Sequence, residues 1–394
     1  MNHILILCFD YPPYKTVGAQ RPNHWKLFFE SQGIEVTVVS RNDFDDHQET
    51  LKADSPSLLQ VIRRKIRSAL SLYFAYFLPV YDQKRQLLKT AFEVCATNSP
   101  DIIVATAEPF ILFKYANTLS KKFDIPWIAD YRDNWSNEPT LDYSYLHALL
   151  YRQYFSAIEK RMVSTASYIT TVGIPTAQRI QQIFPQKDIA LIPNGHAIPT
   201  NFKSSLVSKS RIKISYFGRL YKHRNPSLFI LGVKKWISEN SDSDLKIYFY
   251  GLGDFKEQAD YLLELFDGVE DKVVITESLS YMDLVSAASD SNAFLMLSDR
   301  NLPLTNGKVF DYLGLKRPIL LCPNDHSVFN ELLTNQSCGY IADSVEDVVR
   351  ILDEFWEHIG QDEYFTTPVL RQEYSRDKSS EELLNLIKEV CAES

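Results

Sequence analysis

The chain has 394 residues, of which 45% are hydrophobic and 23% are charged, so it should form a globular protein of roughly two or three domains. Acidic residues outnumber basic ones by 50 to 42, and the resulting net charge of −8 argues against a general nucleic-acid-binding protein. Five scattered cysteines without a CxxC pair argue against a metal site and predict reduced thiols in a cytoplasmic protein.

Short apolar runs rich in β-branched residues alternate with stretches of helical length along the whole chain. Because these runs are apolar throughout, they predict parallel strands that are covered on both faces. The runs in the first half are His3–Phe9, Ile34–Ser40, Asp101–Ala107, Ile125–Tyr131, Tyr168–Val172 and Ile189–Ile192. Those in the second half are Ile212–Phe217, Leu245–Tyr250, Lys272–Thr276, Ala293–Leu297, Pro318–Cys322 and Gly339–Ala342.

This alternation of strand and helix predicts βαβ units and hence an α/β fold with doubly wound parallel sheets. The segment His196–Arg211 is polar, contains a proline and has no strand-like run, which makes it the best linker. We therefore predict two Rossmann-like domains, residues 1–200 and 201–394, with a C-terminal helix that can return to the first domain. Ligands of such folds bind beyond the carboxyl ends of the strands, so we expect the site in a cleft that the two domains face.

The first predicted strand ends in FDYPPYKTVGAQRPNHW, where Gly18 lies in the turn and Pro22 lies near a helix start. A glycine allows a ligand to approach the backbone closely, and a helix start offers free N–H groups to an anion or a sugar hydroxyl. An ordinary strand-to-helix turn explains the same residues equally well. The absence of GxGxxG disfavours a nicotinamide-dependent oxidoreductase.

Segment 57–89 carries apolar side chains at helical spacing: Ile62, Ile66, Leu70, Tyr73 and Phe77. Basic residues crowd the same turns: Arg63, Arg64, Lys65 and Arg67. In an acidic chain, this pattern is typical of a helix lying in an anionic membrane interface. The alternative is a helix that packs its apolar face into the core of its own domain. No stretch is long and apolar enough to span a bilayer, so the predicted location is cytoplasmic or peripheral at the inner membrane face.

The fourth predicted strand runs into IADYRDNW, which groups Asp130, Arg132 and Asp133 at one strand end. Burying such charges is costly unless they are paired. One Asp–Arg pair can be purely structural, which leaves a second carboxylate for the cleft. We favour Asp133 over Asp130 as a proton acceptor or a partner of a sugar hydroxyl.

The second domain opens with ISYFGRLYKHRNP, in which Gly218 is followed by Arg219, Lys222 and Arg224. Arg offers planar bidentate donors and Lys a mobile point charge, a combination that suits a diphosphate. A solvated basic loop is the alternative, and the position directly after a strand favours the anion site.

The stretch NGKVFDYLGLKRPIL places a polar turn, Asn306 and Gly307, before a predicted helix that carries Lys308 and Asp311. The free N–H groups of a helix start bind anions, and Lys308 adds charge. Asp311, one turn further on, can accept hydrogen bonds from two ribose hydroxyls. These features predict half of a nucleotide-diphosphate pocket, with Arg219 and Lys222 as the other half.

Six segments spread over nearly the whole chain are YPP…GAQR, ADYRDNW, LIPNG, YFGRLYKHRNP, YGLGD and NGKVFDYLGLKRPIL. In this order they resemble the retaining glycosyltransferases of family 4, which have the GT-B architecture. The resemblance implies a nucleotide-sugar donor on the second domain and a saccharide or lipid-linked acceptor on the first. It also implies that Arg219 and Lys222 bind the donor diphosphate, that Asn306 and Gly307 offer it backbone donors, and that Asp311 binds the ribose.

The family typically carries two glutamates, and this chain has Pro303 at the first of those positions and Asp311 at the second. This departure leaves the donor sugar open. No Asp-x-Asp motif stands where a metal would bridge phosphates, so we expect no metal and no cofactor beyond the donor, with fixed cations stabilising the leaving diphosphate. The alternatives are a nucleotide-sugar epimerase, which would need additional acid and base residues, and a catalytically silent GT-B scaffold.

Overall fold

The computed structural model describes residues 1–14, 16–43, 58–139, 145–221, 224–241, 243–299 and 307–393. In these ranges the chain forms two six-stranded sheets, one from each half of the sequence. All the strand pairings within the two sheets are parallel. The predicted fold class, two Rossmann-like doubly wound parallel sheets, is confirmed.

The strands coincide with the predicted runs to within two residues at either end. The first sheet contains β1 (His3–Leu7), β2 (Glu35–Val39), β3 (Ile102–Ala107), β4 (Trp127–Tyr131), β5 (Tyr168–Thr171) and β6 (Ile189–Leu191). The second contains β7 (Ile212–Phe217), β8 (Leu245–Tyr250), β9 (Val273–Thr276), β10 (Ala293–Leu297), β11 (Ile319–Cys322) and β12 (Gly339–Ile341).

The helices connect these strands in the pattern expected of βαβ units. Those of the first half are α1 (Val17–Ser31), α2 (Leu58–Phe74), α3 (Arg85–Asn98), α4 (Ile111–Phe123), α5 (Tyr145–Val163) and α6 (Ile174–Ile183). Those of the second half are α7 (Ser227–Glu239), α8 (Lys256–Leu265), α9 (Tyr281–Ala288), α10 (Lys308–Leu315), α11 (Val328–Gln336), α12 (Val345–Glu357) and α13 (Arg376–Glu393).

Successive strand residues are buried in opposite layers, which explains why the strands are apolar throughout. In β1, Leu5 and Leu7 belong to one buried cluster, whereas Ile4 and Ile6 belong to the cluster on the other face of the sheet. Side chains of a strand alternate between the two faces of its sheet, so helices on both faces require apolar residues at every position.

Strand order locates the place where each sheet should bind a ligand. The first sheet has the order β2-β1-β3-β4-β5-β6, and the second has the order β12-β11-β10-β7-β8-β9. Doubly wound sheets bind ligands beyond the carboxyl ends of the strands, at the point where the strand order reverses. That switch point lies between β1 and β3 in the first sheet and between β7 and β10 in the second.

The chain divides into two compact units, which we call the first unit (residues 1–193 and 379–394) and the second unit (residues 194–378). The end of α13 therefore belongs with the first sheet. Leu383, Leu384, Ile387 and Val390 of this helix are buried in the same cluster as Ile4 of β1. The last residues of the chain thus complete one covering layer of the first sheet.

Helix α2 leaves much of its predicted apolar face in solvent. Ile62 and Ile66 are 44% and 55% exposed, and Phe77 beyond the helix end is 47% exposed. Arg63, Lys65 and Arg67 are exposed beside them, and the side chain of Arg64 lies outside the description. Packing into the core of the first unit therefore does not account for Ile62 and Ile66. Among the described helices, none combines the length and apolarity that crossing a membrane requires.

Candidate functional site

At the switch point of the first sheet, Arg132 occupies the space beside Gly18. The Arg132 Nε donates a hydrogen bond to the Ala107 carbonyl over 2.6 Å. A Cβ added to Gly18 would lie only 2.4 Å from Arg132 Nη1, so any side chain here would displace the guanidinium. The structure therefore gives Gly18 a packing role, and its predicted contact with a ligand stays a prediction.

Asp130 is fully buried in β4, and its partner is Arg21 of α1. The guanidinium donates twice, from Nη2 to Oδ1 over 2.8 Å and from Nε to Oδ2 over 3.2 Å. The hydroxyls of Thr106 and Thr170 donate to the same carboxylate, over 2.7 and 2.8 Å. The structural ion pair expected at this strand end thus exists, but it uses Arg21 in place of the neighbouring Arg132.

Asp133 lies in a group of charged residues after β4. Part of its side chain is exposed, yet desolvation by the surrounding chain raises its pKa, with Arg132 opposing the rise and Glu138 adding to it. Desolvation also raises the pKa of Glu108, and the charge of Asp133 raises it further. A carboxylate with a raised pKa beside an arginine suits proton transfer, so the geometry is compatible with the predicted role of Asp133.

Glu108 is a residue that the sequence reasoning missed. It directly follows β3, one of the two strands that flank the switch point of the first sheet. Knowledge of the strand order would have identified it, because the loop after β3 must lie at that point.

The Asp133→Asn substitution should lower turnover on the order of a hundredfold, because it removes a proton acceptor but keeps the side-chain shape. The melting temperature should change little, since the residue is partly exposed and does not belong to the buried Arg21–Asp130 pair. Asp188→Asn is the matched control, an exposed carboxylate just before β6 and therefore at the opposite edge of the sheet. A large loss of stability with unchanged turnover would assign Asp133 a structural role instead.

At the switch point of the second sheet, Gly218 directly follows β7 and has a left-handed backbone (φ +75°) that favours glycine. Arg219 and Arg224 of the following loop both lie against the ring of Tyr221, 4.9 and 4.8 Å from its centroid. Lys222, which the sequence also predicts to bind the diphosphate, lies outside the described residues. The loop thus holds two guanidinium groups around one aromatic ring.

Lys308 of α10 brings a third basic side chain to this place. Its Nζ lies 3.6 Å from the centroid of the Tyr216 ring, and its Cε would lie 3.7 Å from a Cβ on Gly218. Desolvation lowers the pKa of Lys308 far below the usual range, and the charges of Arg224 and Arg219 lower it further. A bound anion would offset both effects and favour the charged form of Lys308, so these three basic side chains form a site suited to negative charge.

The start of α10 is open to solvent at Gly307. A side chain on Gly307 would make only an ordinary contact with Asn194, 3.9 Å away, so lack of space does not explain the glycine. The feature of Gly307 that is relevant to an anion is its exposed position at the start of a helix. Asn306, the other predicted backbone donor, lies outside the described residues.

Asp311 projects from the first turn of α10 and accepts a hydrogen bond from the Tyr281 hydroxyl over 2.8 Å. Burial raises the pKa of Asp311 to about 6, although Tyr281 and Arg376 oppose the rise. The same tyrosine hydroxyl accepts a hydrogen bond from the Ala197 N–H over 2.9 Å. Tyr281 therefore orients the carboxylate, a role that no sequence motif indicates.

Nucleotide affinity should fall about tenfold per pH unit below a pH of about 6, because only the ionised Asp311 can accept two ribose hydroxyls. The affinity falls as the pH falls because Asp311 of the free protein, with its pKa raised to about 6, takes up a proton that the bound ligand would have to displace. Isothermal titration calorimetry with a nucleoside diphosphate measures this dependence. Asp311→Glu should keep it, whereas Asp311→Asn should bind weakly with a flat profile. Equal affinity of the Asp311→Ala variant would exclude the ribose contact.

Comparison with known proteins gives a family match in the first half of the chain. Residues 27–197 match a family model described as Glycosyltransferase Family 4. No curated protein sequence matches the chain. Among the described residues, no group of three or more His, Cys, Asp or Glu side chains is arranged to hold a metal ion.

Solved structures resemble the whole chain at low sequence identity. Sucrose-phosphate synthase from Thermosynechococcus elongatus has a TM-score of 0.66 at 12% identity, covering 100% of both chains. HepE from Anabaena, solved in complex with UDP, has a TM-score of 0.61 at 14% identity, covering 99% of this chain and 100% of its own. A putative UDP-N-acetylglucosamine 2-epimerase from Listeria monocytogenes has a TM-score of 0.53 at 13% identity, covering 100% of this chain and 97% of its own. The chain thus has the α/β fold of GT-B-like proteins, and its residues 27–197 are similar to Glycosyltransferase Family 4.

Proposed function

We propose that this protein is a retaining glycosyltransferase that moves a hexose from a nucleotide-sugar donor to a saccharide or lipid-linked acceptor in cell-surface polysaccharide synthesis. In this proposal residues 201–394 bind the donor and residues 1–200 bind the acceptor. The observation that carries it is the convergence of Arg219, Arg224 and Lys308 at the switch point of the second sheet. The Asp311 carboxylate, one helical turn beyond Lys308, suits the ribose of the same nucleotide.

The chemistry of sugar transfer requires such a group of cations. The bond between the anomeric carbon and the diphosphate oxygen breaks, and the departing diphosphate gains negative charge in the transition state. Donors that are already oriented toward the developing charge lower the barrier without reorganising during the reaction. The acceptor hydroxyl loses a proton as its bond to the anomeric carbon forms, and Asp133 is the predicted base.

The family match to residues 27–197 supports transfer over epimerisation, and UDP in the HepE structure supports a uridine nucleotide as the first donor to test. A thermal-shift screen of UDP-, GDP-, ADP- and dTDP-sugars should find the donor, since a ligand at 100 times its dissociation constant stabilises by about 2.7 kcal/mol. Transfer to a saccharide acceptor is then measured as release of the nucleotide, and NMR determines the anomeric configuration of the product.

The outcomes of this assay separate the alternatives. Product with the donor's anomeric configuration supports the proposal, and product with inverted configuration contradicts retention. Interconversion of the nucleotide sugar without any acceptor would identify an epimerase. Binding without nucleotide release or sugar conversion would identify a silent scaffold.

We also propose that the protein attaches peripherally to an anionic membrane through α2. The exposed apolar residues Ile62 and Ile66 alternate with the exposed cations Arg63, Lys65 and Arg67, a pattern that suits insertion into a lipid interface. Such attachment would keep the enzyme close to a lipid-linked acceptor. High salt should release the protein from anionic vesicles, because screening weakens exposed charges.

A further inference from the structure

A cavity in the first unit is lined mainly by residues of α4 and α5. It has a volume of about 460 Å³, within the usual range of about 300–1,000 Å³ for small-ligand sites. We call it the basic pocket, because its lining includes Lys114, Lys121, Lys122 and Arg161. Lys121, Lys122 and Arg161 lie in the last turns of their helices, toward the amino ends of the strands. The basic pocket is therefore distinct from the switch point of the first sheet.

The basic pocket has a strong positive charge. Lys121, Lys122 and Arg161 are exposed, and in the part of the chain that the structure describes no carboxylate forms an ion pair with any of the four cations. Lys114 donates to the Ala75 carbonyl over 2.9 Å, and desolvation lowers its pKa, with Asp82 opposing and Arg85 reinforcing the shift. Two helix C-termini contribute only about half a negative charge each, so roughly three positive charges remain.

A buried amide adds a donor to the basic pocket. The Asn117 side chain lines the cavity but is only 7% exposed, and its Nδ2 donates to the Met162 sulfur over 3.9 Å. Sulfur is a weak acceptor, and a phosphoryl oxygen would be a stronger one. The Asn117 carbonyl oxygen is already engaged by the Thr165 hydroxyl over 2.8 Å, which holds the amide in this orientation.

The pocket borders an exposed apolar segment. Phe77 lines the cavity, and the residues around it include exposed Phe74 and Leu78 as well as Val80, which is 81% exposed. Contiguous apolar side chains in solvent indicate a protein or membrane contact. A water-soluble anion would use the cations without needing these apolar residues, whereas a phospholipid would contact both.

We propose that the basic pocket binds the phosphoryl headgroup of an anionic phospholipid while Phe77, Leu78 and Val80 enter the acyl region. The proposal rests on the membrane attachment proposed above and names the lipid group that the first unit would recognise. Lys and Arg form charge-assisted hydrogen bonds with phosphoryl oxygens, and Asn117 supplies a neutral donor.

The test is co-sedimentation of the intact protein with phosphatidylcholine vesicles that contain or lack phosphatidylglycerol. The pocket variant carries Lys121→Gln, Lys122→Gln and Arg161→Gln, and its affinity for anionic vesicles should fall on the order of a hundredfold. The matched control removes three exposed cations of the first unit that lie outside the pocket: Lys89→Gln, Arg152→Gln and Lys388→Gln. The loss of affinity for anionic vesicles in this control should be less than about a tenth of the loss in the pocket variant, since distant charges are screened.

A second measurement reports insertion independently of charge. Val80→Trp should show blue-shifted emission and quenching by brominated acyl chains when anionic vesicles are added. Unchanged emission would contradict insertion of the apolar segment.

The remaining outcomes are also decisive. Equal losses by the pocket variant and the control would overturn a specific headgroup site, and so would normal sedimentation of the pocket variant. Thermal stabilisation by glycerol phosphate without vesicle binding would assign the pocket to a soluble anion. If the variant Arg63→Gln/Lys65→Gln/Arg67→Gln no longer sediments while the pocket variant sediments normally, the result supports membrane attachment through α2 and rejects headgroup binding by the basic pocket. Sugar transfer to a soluble acceptor is measured separately, so failure of the transferase proposal is distinguishable from either result.

Discussion

Arg219→Ala should slow sugar transfer several-hundred-fold, because loss of one transition-state donor costs about 3–4 kcal/mol. The Arg219 side chain is exposed and lies against Tyr221 and Phe255, so its truncation should barely change the melting temperature. Steady-state kinetics should show the loss in kcat, since the charge of the diphosphate is greatest as the sugar departs. Lys222→Ala should have a comparable effect if its ammonium binds the same group.

Arg211→Ala is the matched control for Arg219→Ala. Arg211 precedes β7 at its amino end, whereas Arg219 follows the same strand at its carboxyl end. Its exposed pair with Asp244, 2.6 Å long, should contribute at most about 1 kcal/mol to stability and nothing to transfer. Near-normal turnover in both the Arg219 and the Lys222 variants would reject the diphosphate clamp, whereas loss of activity in the Arg211 variant would indicate a nonspecific effect.

Asp130→Ala should lower the free energy of unfolding of the first unit by about 3–5 kcal/mol, because it removes the carboxylate to which the buried Arg21 guanidinium donates two hydrogen bonds. Arg21 is only 6% exposed and Asp130 is fully buried, so water cannot replace the lost partner without opening the structure. Hydrogen exchange of the β4 amides during denaturant unfolding reports this unit separately from the second.

A double substitution separates uncompensated charge from lost packing. Arg21→Met combined with Asp130→Val removes both charges, so it should cost less than the sum of the two single changes. Glu30→Ala, which breaks a partly exposed pair with Lys26 in α1, is the control and should cost at most about 1 kcal/mol. Additive losses in the double variant would mean that the Arg21–Asp130 pair contributes no coupling energy.

Local patterns were sufficient to predict most of the fold. The strands coincide with short apolar runs, because burial on both faces of a parallel sheet leaves a signal in every strand residue. Local patterns do not predict which strands pair with each other. The order of the strands brings Thr106, Asp130 and Thr170 side by side on β3, β4 and β5, and nothing within any one strand specifies that register.

In the candidate site, too, some residues are grouped in the sequence and others are brought together only by the fold. Gly218, Arg219 and Arg224 follow one strand within a few residues, so their grouping is visible in the sequence. Lys308 joins them only because β7 and β10 are neighbours in the second sheet. Its lowered pKa depends on the loss of water around it and on the two arginines, neither of which is a property of the residues next to it in the chain.

The sequence by itself determined the secondary structure, the two parallel sheets and the kinds of side chain at the strand ends, because periodicity and turn chemistry act over a few residues. Only the tertiary structure decided that Arg21, 109 positions from Asp130, is its partner, and that Tyr281 orients Asp311. It also decided that Ile62 and Ile66 of α2 remain in solvent. Burial and ion pairing depend on which elements pack together, and that choice minimises the free energy of the whole chain rather than of any segment.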